Sequence, residues 1–259
     1  MKISFIMQAY LGEYPGSRSD ADKKFLRAVQ SFIDQKNKNS ELIIVSDGCE
    51  IVHKLYFEHY KSNDRVKYAF VDKDTPKMYE EKDGNYYYRG FPRQIGIEMA
   101  TGDIIAYMDS DDYLMEYAVD NISKFWKKAF KAGLDSKWAL VNSWIDHSSV
   151  ELKSKYQDKD MFTIKENIKI PGVESTWSII EATDPSFTTS ATWAITHIRE
   201  DINVKWKDVY GTAGVSEDKV FALALDKKWP GKLHGFTFKG EYYVRLHCHD
   251  IGTGNNWDY

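Results

Sequence analysis

The sequence predicts an α/β protein, with a mostly parallel central sheet flanked by helices and a variable C-terminal half. Three observations carry this. Short apolar runs alternate with helical stripes through the first 115 residues, the links between them are mostly short, and no linker divides the chain into independent units. Alternation of this kind implies right-handed βαβ crossovers and parallel strands.

Ile3–Met7 is a short apolar run, as expected of a strand covered on both faces. A loop with Gly12, Pro15 and Gly16 follows. Ser19 or Asp20 can cap a helix whose apolar positions are Phe25, Leu26, Val29, Phe32 and Ile33. Leu42–Val45 is a second buried strand, ending in Ser46-Asp47-Gly48. A helix with Ile51, Val52 and Leu55 and a third strand, Val66–Val71, come next. The charged, Tyr-rich stretch 72–91 reads as a long loop. Pro92 can start a helix at its first turn, with Ile95 and Met99 on one face and Gly102 as a left-handed stop. Ile104–Met108 is a fourth strand and runs straight into Asp109-Ser110-Asp111-Asp112.

The second half is less regular. Val119, Ile122, Trp126, Ala129 and Phe130 mark a helix ending at Gly133, and Trp138–Ile145 is strand-like. Residues 146–185 carry no clear period. Ser216 opens a helix with Val220, Phe221, Ala224 and Leu225, and Glu241–His249 alternates loosely as a last strand. The division expected is a regular half, 1–115, and a less regular half, 116–259, of one compact domain.

Composition narrows the function. With 42% hydrophobic and 29% charged residues the chain can bury a core, and a net charge of -4 gives no electrostatic footprint for nucleic acid. Cys49 and Cys248 form no zinc or redox motif, so free thiols and a cytoplasmic setting are expected. No run of 18 apolar residues occurs, so the expectation is a soluble protein, at most peripherally attached to a membrane.

The acidic cluster carries the chemistry. Asp109, Asp111 and Asp112 directly follow an apolar strand, and ligands of open α/β sheets sit beyond the carboxyl ends of strands. A hard divalent cation would relieve the repulsion among these carboxylates, with a diphosphate completing its shell. An acidic turn capping the helix near Glu116 is the plainer alternative. Asp47 ends a neighbouring strand, where it can accept hydrogen bonds from a base or ribose or form an Asx-turn with Gly48. Tyr10 can stack on a base or sit as a rim aromatic. Arg93, in the first turn of a helix, is a good phosphate partner.

The run Phe91-Pro92-Arg93-Gln94-Ile95-Gly96 through Ala100-Thr101-Gly102 and on to Asp109-Ser110-Asp111-Asp112 resembles the central signature of family-2 glycosyltransferases. Those pair an "Arg-Asn-x-Gly-x-x-x-Ala-x-Gly" helix with a strand ending in "Asp-Ser-Asp-Asp". The first strand, the helix with Val29, Ser31, Phe32 and Gln35, and Ile43-Ile44-Val45-Ser46-Asp47-Gly48 resemble the rest of that N-terminal half. The resemblance implies the GT-A fold and an inverting, metal-dependent transfer from a nucleoside-diphosphate sugar, UDP-linked for preference, to a hydroxyl of a glycan or other acceptor, as in polysaccharide biosynthesis. It implies Mn2+ or Mg2+ as cofactor, metal contacts from Asp109 and Asp111, and nucleotide contacts from Ala9, Tyr10, Asp47, Arg93 and Asp109. Glu217-Asp218 resembles the family's "Glu-Asp" element, which makes Asp218 the expected base with Glu217 beside it. His247 and His249 share one strand face, and the resemblance makes His247 a candidate third metal ligand.

Departures are visible. Gln8-Ala9-Tyr10-Leu11 stands where the family has Pro-x-Tyr-Asn, Gln94 stands for Asn, and Asp47-Gly48-Cys49-Glu50 for Asp-Gly-Ser-x-Asp. Trp177, Trp193 and Tyr210 can wall an acceptor site or pack a core. A nucleotidyltransferase is a competing reading, but Gly12-Glu13-Tyr14-Pro15-Gly16 lacks the lysine and repeated glycines of such a loop. A non-catalytic nucleotide- or glycan-binding protein is the other.

Overall fold

The computed structural model describes residues 1–12, 20–72, 90–133, 137–140, 144–147, 162–169, 176–182, 195–199, 204–206, 217–230, 233–234 and 245–246. Five helices are described: α1 (Ala21–Ile33), α2 (Glu50–His59), α3 (Gly90–Met99), α4 (Ala118–Lys131) and α5 (Glu217–Lys228). The central sheet contains β1 (Ile3–Ala9), β2 (Ser40–Asp47), β3 (Val66–Val71), β4 (Ile104–Tyr107), β6 (Trp138–Leu140), β10 (Ile195–Ile198) and β11 (Leu233–His234). Its order is β11-β6-β10-β4-β1-β2-β3. Pairings β1–β2, β2–β3, β1–β4 and β11–β6 are parallel, and β10 runs against β4 and β6 on either side. The mostly parallel sheet is therefore present, and strands from both halves of the chain build it.

The apolar runs give two buried layers because side chains alternate across a strand. Phe5 and Met7 of β1 face a cluster with Phe25, Val29 and Phe32 of α1, Val52 of α2 and Ile122 and Trp126 of α4. Ile6, Ile43, Val45 and Tyr107 face the opposite layer, with Ile97 of α3 and Phe221 and Leu225 of α5. Two smaller sheets complete the fold. β5 (Tyr113–Leu114) pairs antiparallel with β12 (Arg245–Leu246), and β9 (Thr176–Ala182) lies between β7 (Trp144–His147) and β8 (Phe162–Lys169).

Several local expectations are corrected. Asp20 is the N-cap of α1 but makes no capping hydrogen bond; its carboxylate lies 3.5 Å from Lys24 Nζ, and Ser19 is outside the described residues. Helix α3 starts at Gly90, so Pro92 falls third in its first turn, where the missing N–H is still harmless. The stretch Trp138–Ile145 is two strands in different sheets. Gly102 is no left-handed stop; left-handed φ occurs at Gly48 (64°) and Gly133 (68°) among the described glycines. What requires Gly102 is crowding, since a Cβ there would lie 2.6 Å from Ser4 Oγ and 2.9 Å from the Lys2 carbonyl.

Gly96 has a similar reason. It is the point where α3 presses on the sheet, and a Cβ would overlap Ile6 Cγ2 and reach 3.4 Å from Val45 Cγ2. Both neighbours are fully packed in the core. Gly96→Ala is therefore expected to destabilise by ~1–3 kcal/mol, the usual scale of overpacking, despite alanine's better helix propensity. Urea unfolding measures this, and an unchanged midpoint would mean that α3 shifts without cost.

At the opposite edge of the sheet from the site, Glu41 anchors three elements. Its carboxylate accepts from Ser4 Oγ (2.6 Å), Thr101 N (2.6 Å) and Lys2 Nζ (2.9 Å), with Lys67 Nζ also 2.9 Å away. Burial pushes its pKa up, and these bonds from Ser4, Lys2, Thr101 and Lys67 outweigh that and hold the group down at about 2.

Candidate active site

The order β3-β2-β1-β4 reverses direction at β1, so the crevice opens above the carboxyl ends of β1, β2 and β4. Ala9 and Tyr10, Asp47, and Asp109 stand at those three ends. Ala9 is fully buried and Tyr10 half-buried, its ring against Gly12. Gln8 Nε2 donates to Asp47 Oδ2 at 3.4 Å, bridging β1 and β2. The turn after β2 is tied by Ser46, whose Oγ accepts the Cys49 N–H at 3.1 Å. Cys49, a free and buried thiol, accepts the Leu11 N–H at 3.3 Å and so fastens the loop after β1 to α2.

The three aspartates of the cluster are not equivalent. Asp112 is fully buried, and its Oδ2 accepts the Asp109 N–H at 3.0 Å, so it shapes the turn. Asp109 and Asp111 are half-buried at the crevice. Arg27 of α1 donates from Nη2 to the Asp111 carbonyl at 3.3 Å and pins the turn from below. Among the described residues no three His, Cys, Asp or Glu side chains converge as a metal set. Asp109 and Asp111 carry carboxylate oxygens, the donor type that a hard cation such as Mg2+ takes. β12 pairs Leu246 with Tyr113 and Arg245 with Leu114, so this strand runs toward the acidic turn. His247 and His249 lie outside the described residues, as do Trp193 and Tyr210, and only the backbone of Trp177 and Glu217 is described.

Arg93 and Asp218, 125 positions apart, meet. Arg93 Nη1 lies 3.6 Å from Asp218 Oδ1; the arginine side chain is 7% exposed and the aspartate 23%. The two helix N-termini that carry them, α3 and α5, come together on one face of the sheet. Between them sits Trp206, over whose ring the Arg93 guanidinium lies, 4.8 Å from the centroid. Trp206 stacks on Phe221 at 3.8 Å and 14°, and its backbone N–H donates to Gln94 Oε1 at 3.1 Å. Gln94 is thus an internal tether, and its Nε2 turns to Glu98 at 3.1 Å.

Hydrogen-bond accounting orients the buried network beneath. The indole N–H can only donate, so Tyr107 Oη accepts it at 2.9 Å. The tyrosine proton then goes to His197 Nε2 at 2.7 Å, and His197 donates from Nδ1 to the Ile198 carbonyl at 2.9 Å. This histidine is neutral: burial holds it down at about 4, against an ordinary 6.5. Burial likewise raises the Tyr107 phenol.

A depressed histidine binds its proton more readily unfolded, so its contribution is whole above pH 6.5 and is lost as pH falls toward 4. Stability is expected to fall by up to ~3 kcal/mol across that window. His197→Gln keeps an acceptor for Tyr107 and removes the titration. Urea midpoints between pH 7 and 4.5 should therefore be steeper in the wild type than in this variant, and equal slopes would refute the assignment.

Sequence reading named Asp47, Arg93, Asp109, Asp111 and Asp218, and all stand at this crevice or on the helices that meet beside it. It missed Arg27, the bridging role of Gln8, and Trp206. Arg27 is next to the apolar stripe of α1, a weak signal; Val204-Lys205-Trp206 has no period or motif at all.

No protein-family model matches the chain, and no curated protein matches it. Solved structures do. It is similar to S. aureus TarS 1-349 in complex with UDP-GlcNAc, at 15% identity over 100% of this chain and 62% of that one, with a TM-score of 0.60. Another crystal structure of S. aureus TarS 1-349 gives 15% identity over 96% of this chain and 61% of that chain, with a TM-score of 0.58. Its complex with UDP gives 16% identity, coverage of 96% and 60%, and a TM-score of 0.55. The chain spans about three-fifths of the length of these structures. At this identity the likeness shows the fold: an α/β architecture of GT-A type. Among the described residues no helix is long and apolar enough to cross a membrane.

Proposed function

We propose that this chain is a glycosyltransferase that takes its sugar from a nucleoside-diphosphate donor, UDP-linked for preference, and delivers it to an acceptor hydroxyl with inversion. One observation carries the reading: the carboxyl ends of β2 and β4, on either side of β1, carry Asp47 and the turn with Asp109 and Asp111, while Arg93 and Asp218 meet beside them. The UDP-GlcNAc and UDP held by the similar TarS structures support a uridine donor. The implied division of labour follows the chain, with residues 1–115 holding the donor and 116–259 the acceptor.

Asp47, Tyr10 and Ala9 line the nucleoside end, and Arg93 adds positive charge for the diphosphate. Asp109 and Asp111, with His247 as a further ligand, would hold Mn2+ or Mg2+, which when bound supplies charge neutralisation for the leaving nucleoside diphosphate. Asp218 takes the acceptor proton, and Glu217 beside it binds a hydroxyl. The acceptor is a glycan or another hydroxyl compound, and polysaccharide synthesis in the cytoplasm is the setting proposed.

Release of free UDP from UDP-sugars, with and without acceptors, tests the reading. Acceptor-stimulated UDP release supports it. Pyrophosphate release would identify a nucleotidyltransferase, and UDP-sugar binding with no release a binding protein. Within this scheme Asp47→Ala is expected to weaken UDP binding by at least ~10-fold, the scale of one lost charged hydrogen bond. Ligand-free stability should stay nearly unchanged, because Asp47 is half-exposed at a strand end. Calorimetry giving the wild-type Kd would return Asp47 to a turn-forming role.

A further inference from the structure

We propose that Trp206 is a positioning residue that presses Arg93 onto Asp218; its consequence for catalysis rests on the function proposed above. The indole has anchors on the two helices that carry the pair. Its backbone N–H is held by Gln94, the residue after Arg93, and its ring stacks on Phe221, three residues and thus about one turn beyond Asp218. Trp206 therefore sets the distance between the N-terminal turns of α3 and α5. A third anchor, the Tyr107 hydroxyl fixed in turn by His197, stops the ring from rotating in its slot. The ring itself is fully buried.

The geometry explains why an ion pair needs such a support. Arginine carries several rotatable bonds, and a 3.6 Å ion pair with a half-buried carboxylate does not by itself fix the plane of the guanidinium. A flat π-face 4.8 Å from the guanidinium carbon does, through cation–π attraction in a water-poor slot. Without the ring, Arg93 gains freedom to turn toward other carboxylates of the crevice, and Asp218 loses its orientation. A displacement of about 1 Å at a reacting group costs on the order of 100-fold in rate, so the platform matters beyond packing.

The test has one arm that needs no catalysis. In arginine-labelled protein the Arg93 Nε–H resonance, assigned by its loss in Arg93→Lys, should move on Asp218→Asn in the wild-type background. It should barely move when Trp206→Leu is already present. Equal movement in both backgrounds overturns the platform. If Trp206→Leu does not fold, Trp206→Phe, which keeps the stack on Phe221 but withdraws the ring from the guanidinium, should at least halve the response; a full response overturns the proposal.

The second arm is kinetic. Trp206→Leu should lower kcat at least ~10-fold, and adding Asp218→Asn should then cost well below the ~100-fold that it costs the wild type, because the two act as a unit. Multiplying penalties would reduce Trp206 to a packing residue. A wild-type chain that turns over no UDP-sugar counts against the function proposed above, and the resonance arm still decides the platform.

Discussion

Asp218→Asn is expected to slow turnover at least ~100-fold while donor affinity stays at its wild-type value, the usual signature of a lost general base. The substitution is isosteric, and asparagine can still accept a hydrogen bond from Arg93, so the α3–α5 contact survives while the proton acceptor is gone. The residue opens α5, on a segment separate from the acidic turn after β4, and so it can approach a sugar from the acceptor side. The proposed single in-line displacement needs the base on the face opposite the leaving diphosphate, and inversion of the anomeric centre is the expected outcome. Proton NMR of the product reads the configuration directly. Retained configuration, or an Asp218→Asn enzyme that turns over at the wild-type rate, removes Asp218 from the role.

That pairing marks the boundary between what was legible in the sequence and what was not. β4 and its acidic turn were legible because an apolar run ending in three aspartates states both its burial and its edge. Gly96 and Gly102 belonged to the same motif, yet their reason emerged only with the packing: Ile6 and Ser4 approach where a side chain would stand. Asp112 reads like its neighbours in sequence, and only its bond to the Asp109 N–H separates a turn-former from the two crevice carboxylates.

The second half was less legible for a physical reason. β10 is four residues long and β6 three, too short for a period to register, and β10 enters the sheet antiparallel between β4 and β6. The strand-like run Trp138–Ile145 then contributes to two sheets, which no pattern of apolar residues distinguishes. Trp206 is the extreme case. Its partners are Gln94, Tyr107, Phe221 and Arg93, and the indole acquires its role only when α3, β4 and α5 are brought together.

Asp111→Ala is expected to abolish turnover while leaving the fold intact, and metal affinity in the wild type is expected to depend strongly on the nucleotide. Both follow from the same count of ligands. Asp112 shapes the turn, so Asp109 and Asp111 are the carboxylates proposed for the cation, and two are too few to cage a divalent ion without donor phosphates. Calorimetry should find weak Mn2+ or Mg2+ binding without UDP and a gain of at least ~10-fold with it, and reciprocity requires the same factor for UDP with and without metal. Asp111 is half-buried in a turn, so Asp111→Ala should stay folded, with a urea midpoint close to that of the wild type. The Arg27 contact survives the change, since it is made to the Asp111 backbone carbonyl. Equal metal affinity with and without UDP would count against the shared shell, and full turnover of Asp111→Ala at saturating metal would leave the acidic turn as nothing more than the start of α4.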